Sequence, residues 1–129
     1  MPPDLSIADV AARTGLSAHT LRYYERAGLM LAPVGRATST HRRYSAGDLR
    51  WVELLTKLRA TGMPIRRVRE YAALVRAGEG NEAERLALLE AHRDAVRAQL
   101  VAMRRSLDAV EKKVALYREK ISERERTHA

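Results

Sequence analysis

The sequence predicts a mainly α-helical protein, in which a winged helix-turn-helix head with a small β-hairpin precedes one long C-terminal coiled-coil helix. Three observations carry this prediction. A helix–glycine–helix pattern fills the first 28 residues, an apolar heptad repeat runs through the C-terminal part, and the 129 residues carry a net charge of +8. A chain of this length is sufficient for one compact domain with a modest core.

Residues 5–28 have the pattern of two short helices joined by a tight turn. Ser6 is predicted to cap the first helix, with Asp9 three residues later as its capping-box partner. This helix is expected to end at Gly15, because the turn requires a residue that accepts a positive φ angle. A small residue, Ala11, precedes the turn, where two crossing helices need close approach.

The second helix is predicted to present a basic and aromatic face. Ser17 is expected to cap this helix, Gly28 to end it, and Leu21 to pack inward against the first helix. The outward side chains are donors for phosphate oxygens and base edges: His19, Thr20, Arg22, Tyr23 and Arg26. The pattern therefore favours a DNA recognition helix, and the alternative is an ordinary helical hairpin.

Residues 29–44 are predicted to form a two-stranded hairpin, here called the wing. Its strands are expected near Leu29–Ala32 and His41–Tyr44, with the tip at residues 35–40. Three arginines would place positive charge against a DNA backbone: Arg36, Arg42 and Arg43. The alternative is a solvated basic loop.

Residues 45–77 are predicted to add a pair of helices to the head. Ser45 is expected to cap the first helix, with Asp48 at the capping-box position, and Trp51 lies on its apolar face as a core residue. Pro64 suits the first turn of the second helix. The exposed arginines of that helix would either contact flanking phosphates or form a solvated face: Arg66, Arg67 and Arg69.

Residues 81–122 are predicted to form a coiled-coil dimerisation helix, capped by Asn81 with Glu84 as its box partner. The first and fourth positions of the heptad repeat form one stripe along this helix, here called the seam. Arg93 is its one polar residue, and the others are apolar: Leu86, Leu89, Val96, Leu100, Met103, Leu107, Val110, Val114, Tyr117 and Ile121. A helix about 60 Å long cannot bury this stripe against the head alone, so a second copy of the chain is expected. The alternative is an arm folded back on its own head, and residues 123–129 are expected to fray.

Charge and composition limit the classes of function that the sequence predicts. The surplus of basic residues is concentrated in residues 1–80, which favours a polyanionic partner. The chain has no cysteine, no run long enough to span a membrane and no spacing typical of a catalytic site, so we predict neither an enzyme nor a membrane protein. No metal site or cofactor is expected, because the histidines lie far apart in the sequence: His19, His41, His92 and His128.

Three runs, TLRYYERAGL, HRRYS and DLRWVELLTKLRATGMPIRRVREY, carry a family resemblance. Together they closely resemble the MerR family of bacterial transcription regulators over residues 5–77. The long heptad helix stands where that family has its antiparallel dimerisation coil. The stretch at residues 71–100 resembles the branch that responds to aldehydes and other electrophiles.

The resemblance implies a dimer that binds a two-fold operator between overlong-spaced −35 and −10 promoter elements. By bending and untwisting the DNA, such a dimer lets RNA polymerase engage both elements. The resemblance also implies DNA contacts for Tyr44 and Arg42, while Tyr24 packs inside with Leu21. The complete set of predicted DNA-binding residues is Ser17, His19, Thr20, Arg22, Tyr23, Arg26, Arg36, His41, Arg42, Arg43 and Tyr44.

Two departures from the family pattern affect function. Thr40 and His41 stand where the family's wing has Gly and Tyr, so His41 is expected to take over a phosphate contact and to make binding mildly pH-sensitive. The missing cysteines remove the residues with which metal- and electrophile-responsive members sense their signals. Control is therefore expected from a small ligand near the junction of head and coil, or from the abundance of the protein.

The leading hypothesis is a cytoplasmic transcription regulator that acts on the bacterial nucleoid as a homodimer. One alternative is an architectural or accessory protein that bends DNA without promoter-specific control. Another is a protein-interaction module whose coil recruits a different helix. The position of the binding site relative to promoter elements separates the first two hypotheses, and the mass of the isolated protein tests the third.

Overall fold

The computed structural model describes residues 4–32, 35–36 and 42–128, with the backbone alone at residues 35, 36 and 42. The described elements are β1 (Leu5–Ser6), α1 (Ile7–Thr14), α2 (Ala18–Arg26), β2 (Gly35–Arg36), β3 (Arg42–Tyr44), α3 (Ala46–Ala60), α4 (Ile65–Arg76) and α5 (Glu82–His128). The mainly α-helical class, the small hairpin and the long C-terminal helix are confirmed. Residues 1–92, here called the head unit, and residues 93–129, the coil unit, form two compact units.

The predicted start and end of α1 are confirmed. The Ser6 hydroxyl accepts from the Asp9 N–H and the Asp9 carboxylate accepts from the Ser6 N–H, each at 3.1 Å, which completes the capping box. Gly15 has a φ of 76°, and its N–H donates to the Ala11 carbonyl at 2.9 Å. The turn into α2 is therefore fixed by backbone bonds that a left-handed glycine makes possible.

Helices α2 and α3 end in the same way. Beyond α2, the N–H of Gly28 donates to Glu25 O at 3.2 Å and that of Leu29 to Tyr24 O at 3.0 Å, and this pair of bonds is a Schellman motif. Gly62 and Met63 make the equivalent bonds after α3. The apolar residue after each glycine is buried, so both helix ends turn the chain back into the core.

The wing differs from its prediction. Leu29–Ala32 is not a strand: Leu29 is fully buried, and its carbonyl accepts the Trp51 Nε1–H at 2.7 Å instead of joining a ladder. The first wing strand is β2, inside the predicted tip, and it pairs antiparallel with β3. A further strand that we did not predict, β1, pairs with the other edge of β3, so the sheet has the order β1-β3-β2.

The core of the head unit is built mainly from α3 and the elements around it. The predicted box of Ser45 and Asp48 is present, with bonds of 2.9 and 3.0 Å. Trp51 is a core residue, as predicted, and its ring stacks on Tyr71 of α4 with 5.7 Å between centroids. The largest fully buried side chains are Tyr44, Leu21, Leu29, Leu55, Met63, Val10, Val52 and Val68.

The start of α5 belongs to the head unit. Leu88 and Leu89 pack against the head core, and His92 Nε2 lies 2.7 Å from Thr61 Oγ1. These contacts place the boundary between the compact units after residue 92, whereas the sequence suggested a boundary at residue 80.

The two ends of α5 also depart from their predictions. Asn81 does not use its side chain to cap α5 through Glu84. Its Nδ2 donates to Leu74 O at 2.8 Å and its Oδ1 accepts from Arg85 Nε at 2.6 Å. At the other end α5 continues to His128, through residues expected to fray.

Candidate nucleic-acid interface

Helix α2 separates a buried face from a polar one. Leu21 and Tyr24 are buried, as predicted, and they hold the helix against the head core. On the opposite side the predicted recognition residues are exposed: His19, Arg22, Tyr23 and Arg26. The helix therefore presents two cations and an aromatic ring to solvent, and the ring of Tyr23 also lies 6.2 Å from that of buried Tyr24.

The N-terminus of α2 carries a hydroxyl pair. The Ser17 hydroxyl accepts from the Thr20 N–H and donates to Thr20 Oγ1, each at 3.0 Å. This cap satisfies one of the N–H groups that a helix start leaves without a helical partner, while the remaining ones carry the positive end of the helix dipole. The site is therefore suited to a phosphate group, as helix N-termini generally are.

The C-terminal end of α2 is held by arginines of α4. Arg69 Nε donates to Ala27 O at 3.0 Å, and Arg76 Nη1 donates to Gly28 O at 3.0 Å and to Met30 O at 2.8 Å. Cations at the carbonyl end of a helix also compensate its dipole. Arg69, which we considered for a phosphate contact, therefore supports the recognition helix. Local patterns do not signal this role, since the bonded residues are 42 to 48 positions apart.

The last wing strand, β3, places two neighbouring predicted residues on opposite sides. Arg43 is exposed, whereas Tyr44 has no exposed surface and packs in the core. Side chains alternate between the faces of a strand, which explains the difference. The prediction that Tyr44 contacts DNA is wrong for this structure, because a fully buried ring cannot reach a duplex outside the protein.

Asp9 at the start of α1 is electrostatically linked to β3. The Ser6 backbone N–H and then the Ser6 hydroxyl lower the pKa of the Asp9 carboxyl, a small desolvation raises it, and the charges of Arg13 and Arg43 lower it further. Ser6 is also the Cα partner of Arg43 in the sheet. The Arg43 guanidinium thus approaches the first turn of α1 while remaining exposed.

Several other predicted residues lie partly or wholly outside the described part. His41 and the wing tip at residues 37–40 lie outside it, as do the side chains of Arg36 and Arg42. On α4, Arg66 is exposed and Arg67 pairs with Glu70 at 2.9 Å.

Most of the predicted seam is exposed. Leu89 packs on the head core and Val96 is half-buried. The other eight seam residues are between 42% and 69% exposed: Leu86, Leu100, Met103, Leu107, Val110, Val114, Tyr117 and Ile121. Monomeric proteins rarely leave a continuous apolar stripe of this length in water, so the stripe marks an interaction surface.

Neither a metal-binding cluster nor a membrane-spanning helix is present among the described residues. No group of three or more His, Asp or Glu side chains in the described ranges is arranged to hold a metal ion. In the same part of the chain, every helix is too short or too polar to cross a bilayer.

Comparison with known proteins places the chain in a family. A family model described as "MerR HTH family regulatory protein" matches residues 5–74, and a second, "MerR, DNA binding", matches residues 49–113. An uncharacterized HTH-type transcriptional regulator of Haemophilus influenzae is 38% identical over 110 residues, covering 85% of this chain and 81% of that protein. The regulator AdhR of Bacillus subtilis is 43% identical over 75 residues, 58% of this chain and 53% of AdhR.

Solved structures agree with this assignment. The crystal structure of HiNmlR, described as a MerR family regulator lacking the sensor domain and bound to promoter DNA, has a TM-score of 0.80 at 36% identity, covering 90% of this chain and 91% of that one. A putative MerR family regulator of Listeria monocytogenes has a TM-score of 0.80 at 35% identity, covering 88% and 85%. Because the first family model covers more than half of the chain and the Haemophilus influenzae relative is 38% identical over 85% of it, the chain belongs to the MerR family of DNA-binding helix-turn-helix transcriptional regulators, whose members are not enzymes.

Proposed function

We propose that the chain acts as a homodimer that binds a two-fold operator between the −35 and −10 elements of a promoter and distorts the DNA between them. The observation that carries this proposal is the exposed apolar stripe of α5, which needs a partner helix. A two-fold dimer presents two copies of α2 to successive major grooves on one side of the duplex. HiNmlR, similar over most of its length, is described as bound to promoter DNA.

Within this proposal the residues of α2 have separate roles, which their exposure on the outer face supports. Thr20, Arg22 and Tyr23 contact base edges or phosphates, with His19 and Arg26 beside them on the same exposed face. Ser17 and the start of the helix hold a phosphate.

The wing supplies backbone contacts beside the recognition helix. Arg43 is exposed on β3 and contacts a neighbouring phosphate, and Arg36, His41 and Arg42 extend this role along the wing. These contacts fix the position of the head on the duplex without reading sequence.

The distortion of the operator is the step that connects binding to transcription. When promoter elements are spaced too far apart, untwisting and bending the intervening DNA brings both into reach of RNA polymerase. RNA polymerase is then an indirect partner, because it responds to the altered shape of the promoter DNA.

Selection of bound genomic fragments, followed by footprinting of the tightest one, tests this function. We expect a two-fold site between promoter elements, with hypersensitive bases at its centre. Broad binding without a two-fold consensus would instead support an architectural protein.

A pair of matched variants tests the dimer. Leu100→Lys places a charge in the seam and is expected to abolish dimer formation and operator binding together. Val101→Lys is the control, because Val101 is also about half exposed but lies beside the seam. Tight operator binding by a proven Leu100→Lys monomer would contradict the dimer.

A further inference from the structure

Two side chains at the start of α5, Asn81 and Arg85, bind the last turn of α4. We propose that both are positioning residues for the recognition helix: they fix the last turn of α4, and Arg76 in that turn fixes the chain where it leaves α2. The inference concerns the head unit alone. It rests on the proposed role of α2 in DNA recognition and adds residues that act on this helix through α4.

The side chain of Asn81 completes the C-terminal end of α4. An α-helix leaves its last carbonyls without helical N–H partners. The Leu74 carbonyl is such a group, because the N–H four residues later, that of Gly78, donates to Val75 O at 3.1 Å. Asn81 Nδ2 donates to the Leu74 carbonyl at 2.8 Å instead. The residue just before α5 therefore caps the preceding helix.

Arg85 connects the first turn of α5 to the same end of α4. Its Nη2 donates to the Gly78 carbonyl, and its Nε donates to Asn81 Oδ1 at 2.6 Å. Both side chains are half-buried, and hydrogen bonds are stronger there than at an open surface. A guanidinium at the carbonyl end of α4 also compensates the dipole of that helix. Asn81 is thus a donor to α4 and an acceptor from α5, which couples the two helices.

The linker between the two helices, residues 77–85 including the first turn of α5, is here called the corner. Its two glycines, Gly78 and Gly80, have φ angles of 91° and 103°, which side chains larger than glycine rarely adopt. The Gly80 N–H donates to the Glu82 carboxylate at 3.0 Å. Backbone and side chains together therefore hold the corner in one conformation.

The same turn of α4 reaches the recognition helix. Arg76 Nη1 donates to Gly28 O at 3.0 Å and to Met30 O at 2.8 Å. In the sequence Arg76 lies between Leu74 and Gly78, the two residues whose carbonyls the corner binds. A displacement of this turn therefore moves the guanidinium that holds the segment after α2.

The C-terminal half of α2 depends most on this support. Leu21 and Tyr24 fix one face of the helix against the core, and Ser17 caps its start. Its C-terminal end receives donors from α4. Binding groups are effective only when the structure behind them holds them to within about 0.5 Å. We therefore expect the contacts of Tyr23 and Arg26 to be the most sensitive to the corner.

A second polar contact of α5 with the head provides a matched control. His92 Nε2 lies 2.7 Å from Thr61 Oγ1, directly after α3. This contact links α5 to α3 and does not involve α4. Thr61→Val keeps the shape of the side chain and removes the contact, while the corner stays unchanged.

Amide hydrogen exchange in the full-length protein tests the route without DNA. The N–H groups of Gly28 and Leu29 donate to carbonyls of α2, so their exchange reports opening of its end. We expect Arg85→Ala to speed their exchange about three- to tenfold, whereas Thr61→Val should not. The amides of α3 serve as the reference for global stability.

Three results of this experiment would overturn the proposal. The first is unchanged exchange of Gly28 and Leu29 in Arg85→Ala. The second is an equal acceleration of the α3 amides, because the loss would then be global. The third is the same acceleration in Thr61→Val, because any loosening of α5 would then have this effect.

Arg85→Lys gives the same test with less disturbance of the fold. Lysine keeps the charge and the apolar stem, but its ammonium cannot reproduce the fixed fork that serves the oxygens of Gly78 and Asn81. We expect a smaller acceleration at Gly28 and Leu29 in the same direction. Exchange identical to that of the natural protein would count against a role of the guanidinium.

Asn81→Asp separates the two bonds of Asn81. The carboxylate still accepts from Arg85 but cannot donate to the Leu74 carbonyl, and its charge opposes the dipole at this end of α4. Faster exchange at the end of α2 is therefore expected. Unchanged exchange would overturn the role of the bond to Leu74.

Operator discrimination connects the corner to function. The probes are the tightest-bound genomic fragment and a copy with scrambled half-sites. We expect the ratio of their dissociation constants to fall about three- to tenfold in Arg85→Ala and to stay constant in Thr61→Val. The scrambled copy is held mainly through phosphates, so its affinity should change little.

This measurement separates the inference from the proposed function. If the natural protein does not discriminate between the two fragments, the proposed DNA recognition fails. If the natural protein discriminates and Arg85→Ala does so equally well, only the positioning role fails.

A double variant tests whether Arg85 acts through Arg76. In that case Arg85→Ala adds little to the loss that Arg76→Ala causes, and the double variant should bind the operator within about twofold of Arg76→Ala alone. Independent sites would instead multiply their losses in affinity. A full product of the two losses would therefore overturn the route through α4.

Discussion

Arg76 of α4 donates through Nη1 to the carbonyl oxygen of Met30 at 2.8 Å. The same nitrogen lies 3.0 Å from Gly28 O, so one guanidinium holds two carbonyls of the segment that follows the recognition helix. Met30 is itself buried, and Leu29 beside it accepts the Trp51 Nε1–H. The exit of the chain from α2 is therefore fixed by two side chains from different helices.

Arg76→Ala should destabilise the head unit and reduce DNA affinity together. Removal of the guanidinium leaves the part-buried Met30 carbonyl without this donor, and we expect a loss of about 1–2 kcal/mol in the free energy of unfolding. Urea unfolding and a binding titration measure the two effects. Arg66→Ala, an exposed arginine on the same helix, is the control, and an equal loss in both variants would show that only net charge matters.

Arg22→Ala and Arg43→Ala should each weaken DNA binding and lower its salt dependence. If each side chain neutralises one phosphate, the slope of log K against log salt falls by about one unit for each removal. Binding titrations at several salt concentrations measure this slope. Lys112→Ala removes the same charge from the far face of α5 and should leave the slope unchanged. A slope as steep as that of the natural protein in Arg43→Ala would contradict the wing contact.

Tyr44→Phe should leave DNA affinity and its salt dependence unchanged, because the whole ring is buried. Tyr44→Ala, in contrast, should cost about 3–5 kcal/mol of stability through the cavity that it opens. Binding and urea unfolding of both variants separate a contact role from a packing role. Weaker DNA binding by a fully folded Tyr44→Phe variant would restore the direct contact that the sequence suggested.

Asp9→Asn should flatten the acid side of the stability profile. The pKa of Asp9 is lowered in the folded head, chiefly by the hydrogen bonds from Ser6. The ionised carboxylate therefore contributes stability that is present above the ordinary value of 3.8 and is lost as the pH falls through the lower folded pKa. Thermal unfolding from about pH 6 down to pH 3 should show a smaller decline in Asp9→Asn than in the natural protein. An equal loss of stability with falling pH in both proteins would show that the charge of Asp9 does not stabilise the fold.

Local chemistry made much of the head predictable. The capping boxes at Ser6 and Ser45 and the glycines that end α1 and α2 depend on residues within a few positions, and the structure confirms them. The outward face of α2 follows in the same way from the spacing of Leu21 and Tyr24.

Contacts between residues far apart in the sequence explain where the structure differs from the predictions. Leu29–Ala32 has an apolar pattern typical of a strand, yet the carbonyls of Leu29 and Met30 accept hydrogen bonds from Trp51 and Arg76, which are 22 and 46 positions away from their acceptors. β1 has only two residues, too few to show an alternating pattern. The motif resemblance predicts a DNA contact for Tyr44, whereas the alternation of side chains along β3 directs this ring into the core.

Helix α2 uses one set of residues to pack against the head and a different set to face the solvent. Buried residues and the carbonyls at its end hold it in place, whereas the four exposed residues of its outer face project to solvent, with the Tyr23 ring also 6.2 Å from the buried Tyr24 ring. Substitutions on the outer face can therefore change which operator is recognised while the head keeps its fold. Divergence of one such regulator into several with different target genes then requires changes at a few surface positions and no redesign of the core.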